Sequence, residues 1–486
     1  MDVKLEQSGE EQEQDRINSK TQENNKKRGT KSYEIDMCSG PLFGKMLVYS
    51  LPLMASGILQ LLFNAADIIV VGRFTGSEAL AAVGATSALI NLLVNLFIGL
   101  SVGVNVMIAK YYGAGKEQEI SETVHTAVLV GIIAGGILTL IGIAASRPML
   151  ALMDTPDTII GQSVLYMRIY FLGMIGTLVY NFGGAVLRAV GDTKRPLYIL
   201  FASGIVNVIF NLIFVILFGL GVAGVAIATA ISQFLSAALI VLCLVRSDRA
   251  YRLFPGRLHI NRDRLIEMAK IGIPAGMQGV VFSISNVLIQ SSVNSFGEIA
   301  MAGNTAAGNL EGFVYIAMNT FHQTALSFTS QNYGAMKKKR ILRVMFISLF
   351  FVAITGLVLG NGAYLASSWL LKIYTKKKNV IAYGAIRMSI ICTTYFLCGL
   401  MDVMSGCLRG LGHSMTAMIV SMMGACVFRI IWIYTIFASF RTLQVLYWSY
   451  PASWVLTFLV HTICFMMAYH KIPPADKGAA TVKVYR

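Results

Sequence analysis

Of the 24 Asp and Glu residues in this chain, three lie deep within long apolar stretches: Asp67, Glu311 and Asp402. A charge near the centre of a bilayer costs about 2.5–3.5 kcal/mol on insertion scales. A carboxylate kept there against that cost is expected to work, unless a partner neutralises it. The chemistry open to it is reversible uptake of a proton or a small cation, because low dielectric favours the neutral form of an acid.

Gln60, Asn64 and Asp67 follow one another at spacings of four and three, so they share one helix face. Pro52 lies fifteen residues before Asp67 and removes one ladder hydrogen bond, giving the helix a place to bend. An acid and a bend point on one helix could couple protonation to shape. Asn207 and Asn211 are one turn apart on the fifth apolar stretch, and Thr229 lies on the sixth. With Asp67 they would supply hard oxygens for Na⁺, or hydrogen-bond partners for a protonated carboxylate. Spacing alone does not show that these helices meet. Glu311 is followed one turn on by Tyr315, and by His322 on roughly the same face. Asp402 stands seven residues before Arg409, and its counterpart in the first half of the chain is the uncharged Asn181. These second-half acids are expected to form a second ion or substrate site, or, for Asp402, to pair with a neighbouring cation.

Long apolar stretches place such groups on spanning helices. The chain has 486 residues, 56% hydrophobic and 13% charged, where a soluble domain carries about 25% charge. Twelve stretches reach the roughly 20 apolar residues of a spanning helix. The expected fold is therefore an all-α integral membrane protein, with twelve transmembrane helices in two six-helix lobes. Those lobes would be related by a pseudo-two-fold axis along the membrane normal. The net charge of +16 would suggest nucleic acid, but the basic residues flank the spans. With both termini cytoplasmic, 30 of the 40 Lys and Arg fall on the inner side, seven on the outer and three within spans. Six of the seven cysteines lie in or beside apolar spans without a CxxC pair, and read as small buried hydrophobes.

The chain also repeats itself. Tyr112-Gly113-Ala114 recurs as Tyr333-Gly334-Ala335, and Leu187-Arg188 with Gly191 recurs as Leu408-Arg409 with Gly412. Pro52, Gly57 and Asn64 recur as Pro274, Gly279 and Asn286. Matching membrane bundles that meet near the bilayer midplane can rock and expose their interface to each side in turn, which points to transport. The expected layout is a disordered cytoplasmic tail (1–40), an N-lobe of six spans (41–245), a basic cytoplasmic linker with six arginines (246–264), a C-lobe of six spans (265–470) and a short tail (471–486).

These residues, in this order and duplication, resemble the multidrug and toxic compound extrusion (MATE) family over roughly residues 40–470. The resemblance rests on Pro52, Gln60, Asn64, Asp67 and Gly72 in the first span, and on the paired Tyr-Gly-Ala and Leu-Arg-x-x-Gly connections. It implies a cation-coupled antiporter that exports amphipathic or cationic organic compounds in exchange for H⁺ or Na⁺. The DinF-like branch is the nearer: its first-lobe cation site matches Asp67, Asn207, Asn211 and Thr229, with Asn211 where some relatives carry aspartate. The NorM-like branch has a glutamate on the seventh helix. Here Gly279–Gln290 holds no acid, and Glu311 and Asp402 stand as substitutes.

No phosphate loop, zinc-protease motif or nucleophile elbow is present, so neither ATP-driven transport nor catalysis is expected, and no cofactor. The expected partners are small organic substrates, H⁺ or Na⁺, and membrane lipid, with no nucleic acid. The architecture requires no second subunit, so a monomer in the cell membrane is expected. The alternative is a lipid-linked oligosaccharide flippase of the same architecture. A pyrophosphate headgroup would want several arginines, and only Arg168, Arg387 and Arg429 lie within spans. Arg168 and Arg387 are each near the start of a span, where they could snorkel to the interface.

Overall fold

The computed structural model describes residues 33–473. Of the compact unit Met1–Glu34 only residues 33 and 34 are described; the second unit, Ile35–Arg486, contains every helix discussed here. Both tails beyond the described range, 1–32 and 474–486, lie outside it.

The chain is helical throughout, with no strand among the described residues. The first half contains α1 (Leu42–Phe74), α2 (Ser77–Ala114), α3 (Glu117–Leu152), α4 (Asp157–Leu172), α5 (Met174–Ala189), α6 (Lys194–Leu212) and α7 (Gly221–Val245). The second half contains α8 (Arg262–Asn294), α9 (Glu298–Gly334), α10 (Lys338–Leu365), α11 (Ser367–Tyr374), α12 (Lys378–Gly410), α13 (Ser414–Ser421), α14 (Phe428–Trp432) and α15 (Leu443–His470). Ten described helices are long and apolar enough to cross a membrane, and α4 with α5, bent by 45° at Gly173, makes an eleventh. The stretch expected to span near 300–330 is α9. At 37 residues it is long enough, but Asn304, Glu311, His322, Gln331 and Asn332 make it too polar to qualify by composition. Those polar groups are buried against neighbouring helices.

Repeated glycines mark where the duplicated chain must do the same thing twice. Gly76 and Gly297 precede α2 and α9 with φ of 103° and 88°, and Gly191 and Gly412 follow α5 and α12 with φ of 96° and 88°. Only glycine takes such left-handed values without a Cβ clash. Gly113 and Gly334 sit where α2 crosses α9. A Cβ on Gly113 would overlap the Gln331 carbonyl, and one on Gly334 the Lys110 carbonyl. The recurring Tyr-Gly-Ala is thus a backbone crossing.

Two expected boundaries change. Within the expected disordered tail of 1–40, Ile35–Gly40 is seated against the helices. Met37 is fully buried among Met46, Tyr49, Phe328 and Val344. Arg340 donates to the carbonyls of Met37, Ser39 and Gly40 at 3.0–3.1 Å, and Lys337 donates to that of Cys38 at 2.9 Å. Gln331 of α9 donates to the Ala189 carbonyl at 2.7 Å, closing the same end of the bundle. The polar composition of residues 1–32 hid the one apolar anchor that follows them. The linker, expected over 246–264, is also held down, with Tyr251 and Leu253 1% and 2% exposed. The Phe254 amide donates to His125 Nε2 at 3.1 Å and the Asn261 amide to Thr126 Oγ1 at 3.0 Å. Its last three residues already belong to α8, which Asn261 caps by accepting from the amides of Asp263 and Arg264.

Candidate functional site

Asp67 lies seven residues before the end of α1. Asn211 sits at the end of α6, where the chain widens into a π-helical turn, Ile213–Leu217. Gly204 lets α6 approach α1, because a Cβ there would occupy the ring of Phe63. That approach brings four side chains together. The Asn211 amide donates to Asp67 Oδ1, and Thr229 Oγ1 of α7 donates to Asp67 Oδ2 at 3.5 Å. The Asn207 amide donates to Thr229 Oγ1 at 3.3 Å, and the Asn211 amide reaches Asn207 Oδ1 at 3.2 Å. Asn207, Asn211 and Thr229 are buried. No Lys, Arg or His lies within ion-pair distance of Asp67 among the described residues. Asn211 Oδ1 is enclosed and accepts no hydrogen bond. The nest therefore combines one uncompensated carboxylate with amide and hydroxyl oxygens, one of them free. That is a donor set suited to a small hard cation or to a proton on Asp67.

Sequence spacing missed Tyr166 and Tyr170 of α4, which stand near enough to feel the charge of Asp67. They lie on another helix, and nothing in their spacing marks them. Gly204 was findable in principle, three residues before Asn207 on the same face. Gln60 and Asn64 do not join the nest: both are exposed and make no hydrogen bond among the described residues. Pro52 is buried, and α1 runs through it without a break.

The second-half residues are dispersed. Glu311 is 4% exposed and receives a two-pronged pair from Arg387, Nε to Oε1 at 2.9 Å and Nη2 to Oε2 at 2.7 Å. Arg387 does not snorkel outward. Its third nitrogen donates to Asn304 Oδ1 at 2.7 Å, which also accepts from the Tyr447 hydroxyl at 3.0 Å. A carboxylate so satisfied is neutralised in place and forms no acidic pair with Asp402. Asp402 is 8% exposed, with the Tyr315 hydroxyl and Arg409 as its neighbours but no ion pair within 4.0 Å. Its backbone carbonyl accepts from His322 Nδ1 at 2.6 Å. Arg409 instead donates to Gln278 Oε1 at 2.6 Å. Among the described residues Asn181 bonds its own helix, to the Thr177 carbonyl at 2.8 Å. Arg168 is exposed and donates to Ser146 Oγ at 3.3 Å.

Apolar spans around a half-buried acid with no cationic partner among the described residues are an arrangement suited to a membrane transporter. The MatE family model matches residues 52–213 and again 274–435, two copies that begin 222 residues apart (274 − 52). The chain belongs to the MatE (MATE) family of transporters. The probable multidrug resistance protein YoeA of Bacillus subtilis is 26% identical over 386 residues, covering 77% of this chain and 83% of that protein. A MOP superfamily transporter from Pyrococcus furiosus superposes with a TM-score of 0.85 at 20% identity, covering 91% of this chain and 99% of its own. An outward-facing multidrug resistance MATE transporter gives 0.84 at 20% identity, with coverages of 90% and 98%. The relatives include multidrug resistance and multidrug export proteins, and the family handles small organic substrates. The flippase alternative finds no support among them.

Proposed function

We propose that this chain is a cation-coupled antiporter that exports amphipathic or cationic organic compounds by alternating access, with Asp67 as the coupling group. The observation that carries the reading is the nest itself: a carboxylate with no cationic partner among the described residues, and a buried Asn211 oxygen with nothing to accept. H⁺ or Na⁺ entering there would supply the missing charge. Asn207, Asn211 and Thr229 orient the acid and complete the oxygen set. The donor set fits the DinF-like branch better than the NorM-like one, since α8 carries no acid between Gly279 and Gln290.

The conformational half of the proposal is two six-helix lobes, α9 serving as the twelfth span inside a protein-lined interface. The α2–α9 crossing and Ile35–Gly40 close the termini-bearing end, and in this reading substrate leaves toward the other side. A charged Asp67 would hold that state, and its neutralisation would bend α1 near Pro52 and expel the substrate.

The test is efflux of ethidium from proteoliposomes with the H⁺ and Na⁺ gradients imposed separately. Asp67→Asn should abolish the gradient-driven component, and Asn211→Ala should slow it by roughly tenfold, the effect of losing one charge-assisted hydrogen bond. Gradient-driven efflux at the wild-type rate in Asp67→Asn would refute the assignment.

A further inference from the structure

The two halves of the duplicated chain do not repeat each other's buried charges. Counting back 222 residues, the separation of the two family matches, Arg429 falls on Asn207. Counting back 221, the separation of Gly191 and Gly412, Arg429 falls on the neighbouring Val208 and Tyr450 falls on Thr229. Asp67 advanced by 222 falls on Ile289. Where the first half gathers an acid with amide and hydroxyl oxygens, the second half has the Arg429 guanidinium on an aromatic ring.

Arg429 is 6% exposed. Its Nε donates to Ser453 Oγ at 2.9 Å, and its guanidinium lies 4.2 Å from the centre of the Tyr450 ring and 6.0 Å from that of Trp454. No carboxylate among the described residues stands within 4.0 Å. A guanidinium carries five N–H donors in a planar fork. Here one is used, and the two terminal nitrogens have no partner among the described residues and are not enclosed. Arg387 shares the same Tyr450 ring at 5.8 Å, but Glu311 balances its charge. Around Tyr450 there are thus two guanidiniums and one carboxylate, leaving one positive charge over. The helix is also shaped for the purpose. Arg429 sits in α14, a five-residue stretch between two π-helical turns, Met422–Val427 and Ile433–Phe437. Such widened turns concentrate at functional sites. A buried charge without an anion is among the costliest groups a membrane protein can retain, and ring faces offset only part of that cost.

We propose that Arg429, whose guanidinium rests on the face of Tyr450, binds the anionic group of an organic anion: a carboxylate, sulfonate or phosphate ester. The two terminal nitrogens of the fork, unbonded among the described residues, take two oxygens of that group. This rests on the reading of the chain as a carrier of small organic molecules. It adds to that reading that cargo includes anions, with the second half holding their charge and the first half the coupling cation.

The test is equilibrium binding to the purified full-length chain in nanodiscs of neutral lipid, without any gradient. The probes are fluorescein, an aromatic dianion, and ethidium, a planar cation, read by fluorescence anisotropy. The wild-type chain should bind fluorescein. Arg429→Gln should weaken that binding by about tenfold or more while leaving ethidium unchanged, and Arg429→Lys should retain part of it. Wild-type affinity for fluorescein in Arg429→Gln, or binding of ethidium but not fluorescein by the wild type, would overturn the proposal. Should Arg429→Gln fail to fold, competition on the wild-type chain decides. Displacement of fluorescein by naphthalene sulfonate and not by naphthylmethylammonium supports the site, and the reverse refutes it. Because no gradient is used, failure here is distinct from failure of Asp67 to couple transport.

Discussion

Replacing Arg340 with alanine should free the segment Ile35–Gly40 from the end of the bundle. Arg340 makes three hydrogen bonds to that segment, to the carbonyls of Met37, Ser39 and Gly40 at 3.0–3.1 Å, and a fourth to Asn332 Oδ1 at 3.1 Å. Bonds to a charged donor contribute about 1.5–3 kcal/mol each when buried, and nearer 1 kcal/mol each at a half-exposed site such as this. Losing the three should shift opening of the segment by about 2–3 kcal/mol, roughly 30- to 150-fold in its equilibrium constant. Cys38 reports the change. Its thiol is 7% exposed and packs against the Gln331 carbonyl at 3.6 Å, and burial pushes its pKa up to about 11. At pH 8 the seated segment therefore offers almost no thiolate, whereas a released cysteine titrates near 8.5. Alkylation by iodoacetamide, followed at the Cys38 peptide by mass spectrometry, should accelerate by the same factor in Arg340→Ala. Cys407, fully buried between helices, should stay unreacted in both proteins. An unchanged rate in the variant would refute the strap, and immediate labelling in the wild type would refute the seat. If the halves rock as proposed, the same variant also favours the state open at the termini-bearing end. The segment touches Gly191 of the first half and Arg340 of the second, and cannot follow both.

Two further outcomes follow from the packing. Glu311→Gln leaves the Arg387 guanidinium buried beside a neutral amide and should cost about 3–5 kcal/mol, whereas Glu311→Gln with Arg387→Gln should cost less than Glu311→Gln alone; thermal unfolding midpoints in detergent measure both. Gly334→Ala places a methyl on the Lys110 carbonyl and should lower stability by about 1–3 kcal/mol. Gly308→Ala on the same helix, with nothing within 4 Å, should leave the midpoint level or higher; equal behaviour of the two would remove the crossing as the reason for the repeated glycine.

The helical spans were legible because apolar length and glycine punctuation are local properties, written along the chain. Asp67, Asn207, Asn211 and Thr229 were each nameable for the same reason, as polar groups at helical spacing in apolar surroundings. Their meeting was not, since it depends on Gly204 admitting α6 against Phe63 of α1. The same limit explains Gln60 and Asn64, which share a face with Asp67 in sequence yet stand outside the nest.

What the sequence by itself determined, then, is the class: apolar helices, an internal duplication, and acids too deep to be accidental. Only the tertiary structure decided which charges are balanced. Glu311 and Arg387 lie 76 residues apart and close on each other. Arg429 has an aromatic face where a carboxylate was possible, and Met37 turns the end of an apparent tail into a plug. Periodicity fixes the face of a helix but not which neighbour that face meets or at what depth. In a low-dielectric interior, that meeting decides whether a charge is neutralised or left to act.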